Sequence, residues 1–156
     1  MNPALNKFDL VILRKKGRRG ETESVQWINL FRVDRRIVPT GVVDYRQLVR
    51  SLTEEGEFHL FTCGCGEAGC AGIHGGIEVR HRKGRTSWRM NCENPLREFL
   101  FDTAQYQQAV CQGLLRWRKQ VTQKRGWLQL GPVSFDRDQL DDCVRLAESA
   151  CAEAGS

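Results

Sequence analysis

The sequence predicts an α+β fold: an antiparallel sheet built from β-hairpins, one helix after the first hairpin, and two C-terminal helices. Three observations in its 156 residues carry this expectation. Alternating apolar and polar runs flank short Gly-containing turns, the pattern of half-buried hairpin strands. Two stretches in the last third repeat their apolar residues at helical spacing instead. Strands and helices do not alternate as βαβ units, which argues against a parallel α/β sheet.

The elements follow in order. Residues 8–13 (FDLVIL) and 24–33 (SVQWINLFRV) are two apolar runs on either side of a basic, Gly-containing loop, which predicts a hairpin. In the second run Val25, Trp27, Phe31 and Val33 share one parity. A helix is expected over about 44–54, because Tyr45, Leu48, Val49 and Leu52 fall on one face. Asp44 and Gln47 suit a capping box, and Gly56 suits its stop. Residues 57–63 (EFHLFTC) read as one strand. Residues 76–82 and 85–91 form the clearest hairpin, with Ile77, Val79, Trp88 and Met90 on one face and Glu78, Arg80, Arg82 and Arg89 on the other. A further strand is expected at 97–101 and a long helix over about 102–124, marked by Tyr106, Val110, Leu114, Trp117 and Val121. Asp136 is read as the N-cap of the last helix, whose stripe is Leu140, Cys143, Val144, Ala147 and Cys151. No repeat or linker divides the chain, so residues 1–156 read as one domain.

Composition narrows the function classes. Apolar residues make up 40% and charged residues 28%, a globular balance. No run nears the roughly 18 apolar residues of a membrane span, and the basic residues of the N-terminus follow its short apolar run instead of preceding it, unlike a secretory signal. A cytoplasmic protein is therefore expected. The formal charge is +5, and it is concentrated: residues 1–50 hold 11 Lys/Arg against 5 Asp/Glu. Arg14, Lys15, Lys16, Arg18 and Arg19 would stand at the tip of the first hairpin. They form either a solvated turn or a docking surface for an acidic partner.

Cysteine usage gives the sharpest signal. The count of seven is odd, which argues against a closed disulfide framework. Cys92, Cys111, Cys143 and Cys151 are scattered and read as small buried apolar residues. Cys63, Cys65 and Cys70 cluster in FTCGCGEAGCAGIHGG, which has the skeleton C-x-C-x4-C-x3-H and ends at His74. On a strand, positions i and i+2 point to one side, so Cys63 and Cys65 would present their sulfurs together. The glycines of the loop would let the chain reverse and return Cys70, leaving backbone N–H groups free for thiolate sulfur. Three thiolates and an imidazole make a tetrahedral zinc set; an iron–sulfur cluster is the runner-up. His59, at the parity of Cys63 and Cys65, and His81 are rival fourth ligands.

Two resemblances attach to these residues. The segment Cys70–His74 is similar to the C-x3-H end of CDGSH iron–sulfur proteins, which also open with C-x-C; here the middle spacer is shorter and the Asp, Ser and Pro of that motif are absent. Thr62, Cys63, Cys65, Gly66, Gly69 and Cys70, followed by Trp88 in a hairpin, resemble small uncharacterised bacterial proteins with a T-C-x-C-G-x-x-G-C strand end. That likeness spans roughly residues 25–120 in layout and implies an architecture but no reaction.

No nucleophile elbow, P-loop, dinucleotide fingerprint or paired-histidine zinc motif occurs, so an enzyme is not expected. The leading expectation is a binding or regulatory protein with a structural metal knuckle, acting on an acidic protein surface, for instance as an inhibitor. A thiol redox or iron–sulfur protein is the second reading. A nucleic-acid binder is the third, using the arginines of 14–19 and 80–89 with Trp27 or Trp88 for stacking.

Overall fold

The structure is a computed structural model, and it describes residues 4–15, 26–37, 42–62, 75–91, 96–123 and 137–154. Strands β1 (Phe8–Lys15) and β2 (Gln26–Val33) pair antiparallel from Phe8↔Val33 to Lys15↔Gln26, as the alternation predicts. The two-residue strand β3 (Arg36–Ile37) extends this sheet, and the turn that delivers it was not anticipated. Asp34 and Arg35 have φ of 48° and 67°, so they form a left-handed two-residue turn without a glycine. Asp34 is held there by three bonds: its carboxylate accepts the Lys7 N–H at 2.7 Å and Asn6 Nδ2 at 2.6 Å, and its own N–H donates to Lys7 O at 3.0 Å.

Helix α1 (Tyr45–Arg50) begins where predicted, with the Asp44 carboxylate accepting the Gln47 N–H at 3.0 Å. It ends earlier than predicted. Ser51 closes it by donating its hydroxyl to Leu48 O at 2.6 Å, and tight bonds such as Leu52 N–H to Val49 O at 3.1 Å finish the turn. Leu52 still reaches the core, which is why the apolar spacing ran past the helix end. Gly56, with φ of 144°, opens a strand instead of stopping the helix.

The strand expected over 57–63 is broken. Its first part is β5 (Gly56–Phe58); its second is β6 (Phe61–Thr62), which pairs with β4 (Val42–Val43) in a separate two-stranded sheet. Phe58, Leu60 and Phe61 are all buried, and one alternating strand cannot bury two adjacent residues on one face. The backbone bond from Asp44 N–H to Leu60 O, 2.9 Å, fixes the crossover.

β7 (Ile77–Arg82), β8 (Arg85–Met90) and β9 (Arg97–Asp102) join β5 in a four-stranded antiparallel sheet of order β5-β7-β8-β9. Lys83 and Gly84, with φ of 51° and 73°, supply the left-handed two-residue turn of the central hairpin. Asn6 covers part of the β9 edge: its N–H donates to Leu100 O at 2.7 Å, and its Oδ1 accepts the Leu100 N–H at 2.8 Å.

Helix α2 (Thr103–Gln123) and helix α3 (Arg137–Ala154) complete the α+β order. The segment 124–136, including the expected cap Asp136, lies outside the described residues. Tyr106, Val110, Leu114 and Trp117 of α2 are buried, as are Leu140, Cys143, Val144 and Ala147 of α3. Trp88 stands at the centre of the core, edge-on to Phe8 (5.2 Å between ring centroids), Phe31 (5.5 Å), Phe101 (5.4 Å) and Tyr106 (5.5 Å). These rings join β1, β2, β8, β9 and α2 into one apolar cluster. No helix among the described residues is long and apolar enough to cross a membrane.

Candidate metal centre and surrounding surfaces

Cys63, Cys65, Cys70 and His74 lie outside the described residues, as does Cys92. The frame that carries them is described at both ends. Segment 63–74 leaves from Thr62, whose strand is laddered to Val42–Val43. It returns through Gly75 and Gly76 to Ile77, which pairs with Phe58. Thr62 is four residues from Phe58, at most about 14 Å of chain. Departure and return are therefore both tethered near the β5–β6 crossover. Gly76 is required for the return: a Cβ there would stand 2.5 Å from Glu57 Cγ and 3.1 Å from Phe58 O. Its N–H donates to Glu57 Oε1 at 3.0 Å.

The rival histidines separate clearly. His59 sits in the crossover between β5 and β6, half-buried. Its Nδ1 is buried and has no hydrogen-bond partner among the described residues. Such an orphaned nitrogen costs free energy unless something binds it. The strand is interrupted at 59–60, so His59 is not linked to Cys63 and Cys65 by the parity of one continuous strand.

His81 is engaged elsewhere. Its Nε2 lies 3.0 Å from Ser51 O and its Nδ1 lies 2.9 Å from Thr86 Oγ1. A carbonyl only accepts, so Nε2 donates to Ser51 O, while Nδ1 shares its hydrogen bond with the Thr86 hydroxyl. Thr86 in turn meets Thr103 Oγ1 at 3.0 Å. On the other side, the Ser51 hydroxyl donates to Leu48 O, so the Tyr106 hydroxyl, 2.9 Å away, donates to Ser51 Oγ. Burial pushes the Tyr106 phenol well above its usual range, so it stays protonated as this donor role requires. Both ring nitrogens of His81 are thus occupied in a network joining α1, β7, β8 and α2. It also lies four strand residues beyond Ile77, about 13 Å along β7. His81 is a packing residue and not a ligand, a correction to its standing as a rival. The cross-strand half of this network was legible, since His81 faces Thr86 in any two-residue-turn register; Ser51 and Tyr106 come from distant parts of the chain.

Of the basic stretch, Arg14 and Lys15 end β1 opposite Trp27 and Gln26 in the backbone register. Lys16, Arg18 and Arg19 lie outside the described residues. The outer face of the four-stranded sheet is charged, as predicted, but balanced. Arg80 pairs with Glu78, and Arg89 reaches Glu98 at 3.6 Å and Glu78 at 4.0 Å. Arg85 lies across from Asp102. Trp88 has no exposed surface, so it cannot offer a stacking face from the native core. Among the described residues no cluster of three or more His, Cys, Asp or Glu is placed to hold a metal. Comparison with protein-family models, with curated proteins and with solved structures finds no match to this chain.

Proposed function

We propose that this chain is a non-enzymatic binding or regulatory protein whose segment 63–74 is a structural metal knuckle. In this reading Cys63, Cys65 and Cys70 hold zinc with one histidine, His74 from the motif or His59 from the crossover. The observation that carries it is the C-x-C-x4-C-x3-H skeleton set in a tethered frame. The buried Nδ1 of His59, which has no hydrogen-bond partner among the described residues, supports a role for this histidine beside that frame, as a ligand or as a donor to one. A closed site of this kind stabilises a loop and leaves no open position to activate water. The resemblance to the bacterial T-C-x-C-G-x-x-G-C proteins belongs to the same proposal.

The partner proposed is a cytoplasmic protein with an acidic surface, met by Arg14, Lys15, Lys16, Arg18 and Arg19 at the end of the first hairpin. The nucleic-acid alternative is weakened by the burial of Trp88 and the paired charges of the sheet face.

Elemental analysis with an absorption spectrum tests the knuckle. About one zinc per chain and a colourless protein are expected; iron with visible bands selects the cluster instead. Cys65→Ser should lose the metal, and comparison of His74→Ala with His59→Ala should identify the histidine. A metal-free purified chain in which all three thiols react at once with a thiol reagent would overturn the proposal.

A further inference from the structure

Charge on the outer face of the four-stranded sheet is unevenly placed. At one end Glu57, Glu78, Arg89 and Glu98 lie side by side in the backbone register, three carboxylates around one guanidinium. At the other end, four residues or about 13 Å further along β7, Arg82 lies directly across from Arg85, with Lys83 in the turn between them. Asp102 is next to Arg85 in the register, and its Oδ1 is committed to α2, accepting the Gln105 N–H at 2.9 Å. Glu55 Oε1 likewise accepts the His81 backbone N–H, at 2.7 Å. Among the described residues Arg82, Lys83 and Arg85 form no ion pair. Arg82 and Lys83 are exposed, and Arg85 is half-buried.

Two features of this turn work against stability. Like charges directly opposite each other on paired strands repel. Lys83 holds a left-handed backbone, with φ of 51°, at a cost that glycine or asparagine largely avoids. The turn is nonetheless held in place, because the Thr103 N–H at the start of α2 donates to Gly84 O at 2.9 Å. A fixed turn therefore presents three cations to solvent at the expense of its own stability, and an anionic partner would relieve the repulsion.

We propose that the β7–β8 turn, through Arg82, Lys83 and Arg85, docks a short acidic segment of a partner protein. This rests on the acidic-partner reading above and adds a contact on a second hairpin. The flanking acids decide the kind of partner. A polynucleotide carries a phosphate every few ångströms, so a strand crossing this face would lie over Glu57, Glu78 and Glu98. A few Asp or Glu side chains fit within the turn end, where each guanidinium can take a carboxylate with two N–H groups.

The intact protein, labelled with 15N, should be titrated with a hexaglutamate peptide at low salt and followed amide by amide by NMR. The largest shifts are expected at residues 82–85 and at Thr103, and they should vanish at high salt. Arg82→Glu combined with Arg85→Glu should weaken peptide binding by about tenfold. Lys83→Asn should weaken it by about threefold while raising the thermal midpoint by about 2–4 °C; a turn that is only solvated would give the second effect without the first. Arg89→Gln, in the acidic row, should change binding by less than about twofold. An oligothymidylate strand should bind more weakly than the peptide. Peptide affinity unchanged in the double reversal and in Lys83→Asn overturns the proposal, as does tighter binding of the oligothymidylate at the turn. Shifts confined to residues 14–19 also overturn it while leaving the first hairpin as the acidic-partner surface; shifts confined to 82–85 support it and remove the first hairpin from that reading.

Discussion

Asp34 shows how much a single side chain can decide. It tolerates a left-handed backbone because its short carboxylate can bond locally, and here both oxygens accept from the N-terminal segment. The Lys7 N–H and the Asn6 amide hold its carboxyl below the usual range. A depressed carboxylate stabilises the fold above its unfolded pKa, and that stabilisation fades as pH falls through the folded pKa. Asp34→Ala should therefore destabilise by about 1–2 kcal/mol at pH 7, from lost bonds and an unfavourable φ. The deficit should shrink as pH falls below the ordinary carboxylate value of 3.8 and through the lowered folded one; equal wild-type and variant urea midpoints at pH 7 would contradict this expectation. His81 teaches a complementary lesson. As a residue type it invited a ligand role, yet two hydrogen bonds commit both of its nitrogens to packing.

Among the elements, α2 is the one whose closeness to the sheet is set by a glycine. Gly113 faces β1, and a Cβ at that position would stand 2.6 Å from Leu10 Cβ and 2.8 Å from Leu10 Cδ2. Glycine inside a helix costs about 1 kcal/mol relative to alanine. The clash outweighs that gain, because overpacking a tight interface costs typically 1–3 kcal/mol. Gly113→Ala should thus lower stability by about 1–2 kcal/mol despite its better helix propensity, measured by urea unfolding; a stabilised variant would mean the helix can move off the strand freely. Side chains of α2 also satisfy the free β1 edge, with Gln105 Nε2 donating to Phe8 O at 2.9 Å and Arg116 Nη2 to Leu10 O at 3.1 Å. Helix and strand are therefore joined by polar as well as apolar contacts.

For the whole molecule, the aromatic cluster around Trp88 is where the larger sheets and α2 meet. Trp88→Ala should cost about 3–5 kcal/mol, the range for emptying a large buried site, and should abolish much of the near-UV circular dichroism of these rings. A loss under 1 kcal/mol would show that the core does not depend on this contact. Chelation tests a different region: under the proposed knuckle it should loosen segment 63–74 and lower the thermal midpoint while β7–β9 and α2–α3 retain their secondary structure. A chelator without effect on the midpoint would argue against a structural metal.

Local pattern alone determined the α+β order, the hairpins β1–β2 and β7–β8, the Asp44 cap and the buried stripes of α2 and α3, since periodicities of 2 and 3.6 report which face is apolar without needing a partner. It also singled out Cys63, Cys65, Cys70 and His74 by ligand type and spacing. Tertiary structure alone decided where the 57–63 strand breaks, because Phe58 pairs with Ile77 in one sheet and Phe61 with Val43 in another. It likewise decided that both ring nitrogens of His81 are engaged, while His59 Nδ1 has no hydrogen-bond partner among the described residues. Faces are local properties of a segment, but partners are chosen by how segments dock.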